Sequence, residues 1–143
     1  MRIGAILSMF FLAAGCVAAP IAQSPLTGKS YDIEISDSVR GKVITVKTHD
    51  EVRWINTTTS TVELSVRKPE NASYSCRNGF SNEKIGDFVG SPNPYIVLIA
   101  TLKSSDHASL CFSDTGIYEY NVRMIVESPR EENTLTSGTV MVK

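Results

Sequence analysis

Short runs of alternating apolar and polar residues constrain the fold of this chain most. Alternation with a period of two places every second side chain on the same face of an extended strand, and Gly, Pro, Asn, Asp or Ser residues separate the runs. No stretch has a convincing helical period. The pattern therefore predicts an all-β, antiparallel β-sandwich. The predicted strands cover residues 31–35, 43–46, 52–54, 62–66, 95–102, 110–112, 118–124 and 140–142.

The N-terminus has the layout of a secretory signal peptide. Arg2 precedes an uncharged apolar stretch that ends in small residues, and the stretch is shorter than the roughly 20 residues that span a bilayer. The segment from Leu12 to Cys16 (LAAGC) resembles a bacterial lipobox, in which the cysteine is acylated and becomes the mature N-terminus. We therefore predict a signal peptide over residues 1–15 and a periplasmic or cell-envelope lipoprotein anchored at Cys16. Cleavage near residues 18–23 would instead give a soluble secreted protein.

The remaining cysteines form an even pair. Of the three cysteines, Cys16 belongs to the export signal, which leaves Cys76 and Cys111. An even pair in an oxidising compartment is expected to form a disulfide, and we predict one between these two residues. Metal binding is the alternative, but neither cysteine lies in a C-x-x-C pair.

The chain divides into a leader, a linker and one domain. Residues 16–29 contain two prolines and show no periodicity, which predicts a flexible tether. Residues 30–143 are predicted to form the sandwich, and a total length of 143 residues fits one domain of ordinary size. The stretch 69–94 is rich in Asn, Gly and Pro, and we predict a loop-rich insertion there.

Three segments resemble the cupredoxins, the fold of plastocyanin and pseudoazurin. They are DEVRWIN at 50–56, TGIYEY at 115–120 and SGTVMV at 137–142, and they follow one another in the order and spacing of that family. The resemblance covers residues 31–143 and implies a Greek-key, cupredoxin-like β-sandwich with a type 1 copper site.

The copper ligands of that family do not carry over to this chain. A type 1 site needs two histidines and a cysteine thiolate. The first histidine position falls near Thr61 and the cysteine position falls on Val122, while residues 123–137 contain no histidine. The resemblance therefore implies a domain that has lost its copper, and we predict no metal and no other cofactor. The alternative is a copper-binding or electron-transfer protein that uses His107, Cys111 and Met124.

The function that fits these observations is structural or binding. The chain lacks a G-x-S-x-G elbow, an H-E-x-x-H pair and a phosphate-binding glycine loop, so we predict that it is not an enzyme. A formal net charge of −1 indicates no nucleic-acid partner. We expect an envelope protein or a ligand as partner, and contact with the membrane only through Cys16. The candidate binding pole, which replaces the copper end of the family, consists of Asn56, Thr59, Thr61, Arg123 and Arg130.

Overall fold

The computed structural model describes residues 26–36, 42–86, 95–125 and 135–143. The predicted signal peptide and Cys16 lie outside these residues. Ten strands occur in the described ranges, and they match the alternating runs of the sequence with two additions. The strands are β1 (Ser30–Ile35), β2 (Val43–Val46), β3 (Glu51–Asn56), β4 (Val62–Pro69), β5 (Tyr74–Asn78), β6 (Asn82–Gly86), β7 (Tyr95–Leu102), β8 (His107–Phe112), β9 (Gly116–Met124) and β10 (Leu135–Val142).

The strands form two sheets that enclose one core. The four-stranded sheet has the order β1-β3-β8-β5, and the six-stranded sheet has the order β2-β10-β9-β4-β7-β6. Buried side chains of both sheets belong to a single hydrophobic cluster. The prediction of an all-β sandwich is therefore confirmed.

Two strand pairs depart from the predicted antiparallel arrangement. β1 pairs in parallel with β3, and β2 pairs in parallel with β10. Strands that follow one another directly and pair in the same sheet are joined by a tight hairpin and are therefore antiparallel, but β1 and β3, like β2 and β10, do not follow one another directly. β1 and β2 lie in different sheets, so the chain passes between the sheets and each strand joins its edge in the parallel sense.

The alternation of the sequence becomes the two faces of each strand. On β4, the side chains of Val62, Leu64 and Val66 are buried while those of Glu63 and Ser65 are partly exposed. Successive side chains of a strand point to opposite faces, so this pattern turns one face of β4 into the core. Each fully buried valine or leucine contributes about 1.5–3 kcal/mol to the stability of the fold.

The segments that resemble cupredoxins meet inside this core. The indole ring of Trp54 lies 5.7 Å from the ring of Tyr120 in an edge-to-face contact, and 6.2 Å from the ring of Phe80. Gly138 lies against Tyr120, and a Cβ at this position would overlap the phenol group of Tyr120 and the carbonyl oxygen of Lys42. These motif residues thus have a packing role in this chain.

The region predicted as a loop-rich insertion contains two strands. β5 joins the edge of the four-stranded sheet and β6 joins the edge of the six-stranded sheet. Their sequences, YSCRN and NEKIG, are largely polar because edge strands keep a solvated side, so they lack the alternation of the inner strands. The sequence of β7 is a nearly continuous apolar run, which favours burial on both faces, but its buried residues Leu98, Ala100 and Leu102 lie on one face only.

The predicted disulfide is confirmed. Cys76 of β5 and Cys111 of β8 are bonded, with their Cα atoms 4.8 Å apart and both side chains fully buried. A disulfide indicates an oxidising, exported environment. Among the described residues, no helix has the length and apolar character needed to cross a membrane.

Candidate functional site

Strand pairing brings three connections to one end of the sandwich. Val62 at the start of β4 pairs with Leu102 at the end of β7 and with Met124 at the end of β9. The loop that leads into β4, the turn that follows β7 and the chain that leaves β9 therefore lie side by side. We call this surface the loop end, defined by residues 57–61, residues 103–106 and Ile125.

The backbone of Asn56 joins two of these connections. Its N–H donates to the carbonyl oxygen of Asp106 (2.9 Å), and its own carbonyl oxygen accepts a hydrogen bond from the N–H of Ser105 (2.8 Å). Ser105 has a positive φ of 69°, which turns the chain back toward β8. The 103–106 turn is thus fixed directly to the end of β3.

The side chain of Asn56 holds the 57–61 loop from inside. Its amide nitrogen donates to the carbonyl oxygens of Ser60 (2.8 Å) and Leu102 (3.0 Å), and its amide oxygen accepts from the backbone N–H (3.0 Å) and hydroxyl (2.8 Å) of Thr58. Asn56 is fully buried, and these bonds use both donors and both acceptor positions of its amide. The loop conformation is therefore set by one interior residue.

Further hydrogen bonds tie the loop to its neighbours. The backbone N–H and the hydroxyl of Thr57 both donate to the carbonyl oxygen of Ile35 at the end of β1 (2.9 and 2.8 Å). The N–H of Ile125 donates to the carbonyl oxygen of Thr61 (2.9 Å), which connects the loop to the chain leaving β9. Both ends of the 57–61 loop are thus bonded to the sandwich.

The outer surface of the loop end is rich in hydroxyl groups. Ile125 adds an apolar side chain that is 41% exposed. A lysine and an aspartate in the 103–106 turn balance one another, so the described part of this surface has little net charge. The exposed polar residues are Thr57, Thr59, Ser60, Lys103, Ser104, Ser105 and Asp106.

The residues of the predicted binding pole differ in how exposed they are and in where they lie relative to the loop end. Thr59 is exposed on the loop end, whereas Asn56 is interior and positions the loop instead of presenting its own side chain. Thr61 is partly buried. Arg123 lies beside the loop end and forms an exposed ion pair with Glu63 (3.1 Å). Arg130 lies outside the described residues.

Sequence reasoning missed the 103–106 turn. The polar residues of this segment indicate a turn, but nothing in the sequence shows that Ser105 and Asp106 bond to Asn56. Such a contact between residues about 50 positions apart depends on the pairing of β3 with β8. The signal that was available is the pair of turn-forming residues Ser105 and Asp106 between two predicted strands.

The residues of the copper alternative are spread over the fold. Cys111 is in the disulfide and therefore has no thiolate to offer a metal. His107 is exposed at the start of β8, four residues before Cys111, which corresponds to about 13 Å along a strand. Met124 ends β9 in the other sheet, where it packs against the core. Within the ranges given above, no cluster of three or more His, Cys, Asp or Glu side chains could hold a metal ion.

Two carboxylates close the opposite end of the sandwich. Asp50 is buried and accepts hydrogen bonds from the Thr27 hydroxyl (2.6 Å) and the Lys47 N–H (3.0 Å). Burial acts to raise the pKa of Asp50, but these bonds and the nearby lysine charges lower it overall. Thr27 belongs to the segment predicted as tether, so the chain contacts the domain before β1 begins.

The second carboxylate is Asp114. The backbone N–H and hydroxyl of Ser73 donate to its Oδ2 (2.7 and 2.9 Å), and these bonds lower its pKa. The hydroxyl of Tyr118 donates to the carbonyl oxygen of Asp114 (2.9 Å). These contacts fix the loops between β4 and β5 and between β8 and β9, so this end has a clear structural role.

Comparisons with known proteins give only distant similarities. No family model matches the chain, and no curated protein matches it. The crystal structure of the cysteine protease inhibitor EhICP2 from Entamoeba histolytica has a TM-score of 0.43 at 10% identity, covering 80% of this chain and 96% of that one. The solution structure of Amebosin has a TM-score of 0.39 at 13% identity and covers 80% and 98%. PapD-like domain 7 of human CEP192 has a TM-score of 0.25 at 11% identity and covers 93% and 97%.

Proposed function

We propose that this chain is an exported, non-catalytic binding module of the cell envelope that recognises a partner protein with its loop end. The observation that carries the proposal is the Asn56 network, which fixes the 57–61 loop from the interior and leaves Thr59 and Ser60 exposed. An exposed loop that is held in one shape by a buried side chain can present the same groups to a partner each time, as binding loops on a rigid scaffold do.

Preorganisation gives such a loop an advantage in binding. A flexible loop loses about 0.5–1.5 kcal/mol of side-chain freedom for each residue that becomes ordered in a complex. The 57–61 loop is already bonded to Ile35, to Leu102 through Asn56, and to Ile125 before any partner arrives. Much of the ordering cost is therefore absent from the binding step.

The surface chemistry favours a protein partner. Hydroxyl groups both donate and accept hydrogen bonds, and Ile125 offers an apolar contact beside them. The described surface has no excess of positive charge of the kind that phosphate groups require. A protein surface that combines hydrogen bonds with a small apolar area matches these groups.

The proposal includes the finer predictions from the sequence. The cupredoxin-like ancestry, the loss of the copper site, the lipid anchor at Cys16 and the periplasmic location remain predictions that belong to it. It requires no cofactor, and the oxidation of Cys111 removes the one thiolate on which the copper alternative depended.

Site-specific photo-crosslinking in the organism that produces the chain tests the proposal. A photoreactive amino acid replaces Thr59 on the loop end in one variant and Thr115, an exposed threonine at the opposite end, in a matched control. We expect the Thr59 variant to give a discrete crosslinked protein that excess unlabelled chain displaces. The control should give none.

The outcome that contradicts the proposal is equally specific. Equal crosslinking from both positions, or no displaceable product from Thr59, would show that the loop end has no partner protein. Retained native fluorescence of Trp54, the single tryptophan of the chain and fully buried, verifies that both variants are folded.

A further inference from the structure

The four sheet edges of the described structure differ in charge. β1 carries Asp32 and Glu34, β5 carries Arg77, and β6 carries Glu83 and Lys84. Charged residues on edge strands discourage pairing with other chains. β2, with the sequence VITV, has no charged residue among its four positions.

The backbone of β2 has pairing positions that no other strand of the described ranges uses. The carbonyl oxygens of Lys42 and Val46 accept hydrogen bonds from Thr139 and Lys143, so these residues face β10. In a parallel ladder, alternate residues bond to the same neighbour. The N–H and carbonyl groups of Val43 and Thr45 therefore point away from β10, toward the open side of the sheet.

The side chains around this edge are accessible. Val43 is 64% exposed, and Thr45 is exposed on the same face. Lys42 and Lys47 flank the strand on either side, and both are exposed. The edge thus combines two outward backbone donors and acceptors, a β-branched surface and two flanking positive charges.

We propose that the β2 edge accepts an extended, acidic segment of a partner protein as an added strand of the six-stranded sheet. Strand addition uses the main-chain groups of Val43 and Thr45 for affinity, while carboxylates on the incoming segment pair with Lys42 and Lys47. The surface lies at the side of the sandwich, separate from the loop end, and the proposal does not depend on the function proposed for that end.

Charge argues against a second copy of the chain at this edge. Pairing β2 with β2 of another copy would bring Lys42 and Lys47 of both chains together, and the four residues of the strand include no acid. Asp50, the acid near Lys47, is buried and already accepts hydrogen bonds from Thr27 and Lys47, so it offers no carboxylate to a second copy. Like charges across an interface disfavour association. An acidic strand satisfies both the backbone and the lysines.

Binding of a synthetic peptide tests the proposal. The probe is the blocked heptapeptide EVTVTVE, and KVTVTVK is the matched control of reversed charge. We expect EVTVTVE to slow hydrogen exchange of the Val43 and Thr45 amides and to bind at least about tenfold more tightly than KVTVTVK, because of the lysines. Amide-resolved NMR measures both quantities.

Two substitutions of Thr45 distinguish the contribution of its backbone N–H to peptide binding from that of its side chain. Thr45→Pro removes the outward N–H, a change that edge strands tolerate, and should weaken EVTVTVE binding about tenfold or more. Thr45→Ala keeps the N–H and should change the affinity less than about threefold. If Thr45→Pro does not fold, Lys42→Glu serves instead and should abolish the preference for the acidic peptide.

Three results would overturn the proposal. The first is unchanged exchange of the Val43 and Thr45 amides at saturating peptide. The second is equal affinity of Thr45→Pro, or of Lys42→Glu, for EVTVTVE. The third is a concentration-dependent dimer that protects the same amides without peptide, which would assign the edge to a second copy.

Discussion

A buried amide that satisfies all of its partners is difficult to replace, and Asn56 is such a residue. Asn56→Ala would remove the side-chain amide that bonds to the carbonyl oxygens of Ser60 and Leu102 and to the N–H of Thr58. The Ser60 carbonyl would keep only the weaker contact from the Thr58 hydroxyl (3.1 Å). An unsatisfied buried group costs about 1–3 kcal/mol, so we expect the free energy of unfolding to fall by about 2–4 kcal/mol. Urea denaturation followed by Trp54 fluorescence measures the loss.

Thr59→Ala in the same loop is the matched control. Thr59 is exposed, and its substitution should change the stability by less than about 0.5 kcal/mol. If Asn56→Ala were as stable as Thr59→Ala, the interior amide would not be holding the loop.

Asp50 predicts a dependence of stability on pH. Its pKa is lowered in the folded chain, so its ionised form stabilises the fold above the ordinary carboxyl pKa, and this contribution disappears as the pH falls through the lowered value. Asp50→Asn should therefore be less stable than the natural chain at pH 7. The difference should shrink below about pH 4, near the unperturbed aspartate pKa.

Urea titrations of both proteins between pH 7 and pH 2 isolate this carboxylate from the others. A constant difference in stability over the whole range would show that the hydrogen bonds from Thr27 and Lys47 do not depend on the charge of Asp50.

At the scale of strands, the sequence predicts the inner elements well and the edges poorly. β4 and β9 alternate because one face of each is buried in the core. β5 and β6 lie at sheet edges, where much of the surface remains solvated, and they carry polar residues that indicate a loop. Alternating apolar and polar residues indicate a strand only when one face of that strand is buried, so the sequence pattern does not predict a strand that is solvated on most of its surface.

The disulfide should stabilise the link between β5 and β8. Cys76 and Cys111 are 35 residues apart, and closing a loop of this length removes unfolded-state entropy equivalent to about 3–4 kcal/mol. We expect the double variant Cys76→Ala, Cys111→Ala to lose a free energy of unfolding in this range. A loss below about 1 kcal/mol in urea denaturation would show that other contacts hold β5 in place.

Gly138 on β10 has a packing requirement. A Cβ there would overlap the Tyr120 phenol group and the Lys42 carbonyl oxygen, so Gly138→Ala must displace a core ring or the start of β2. Overpacking of this kind costs about 1–3 kcal/mol. Thermal denaturation should show a lowered Tm for Gly138→Ala, and an unchanged Tm would contradict the close contact.

For the whole molecule, the sequence predicted the sandwich and the disulfide but described the site only in part. It placed residues 57–61 and Arg123 at a common end, and strand pairing brings these segments together. It took Asn56 for a surface residue, because burial of a polar side chain at a strand end depends on the partners that tertiary structure supplies. The contribution of residues 103–106 follows from contacts between strands distant in sequence, which no local pattern encodes.

Export also belongs to this scale. If Cys16 is acylated, mass spectrometry of the mature chain should show a lipid-modified N-terminal cysteine, and Cys16→Ser should prevent the modification. A mature chain that begins between residues 18 and 23 would instead support the soluble secreted alternative.

Amide hydrogen exchange of the free protein tests the central claim, that the loop end is organised before it binds. The N–H groups of Thr58 and Ser60 donate to the Asn56 amide oxygen and the Thr58 hydroxyl. The account predicts that both exchange far more slowly than in an unstructured peptide and that Asn56→Ala removes this protection. Exchange of both amides at the unstructured rate in the natural chain would contradict it.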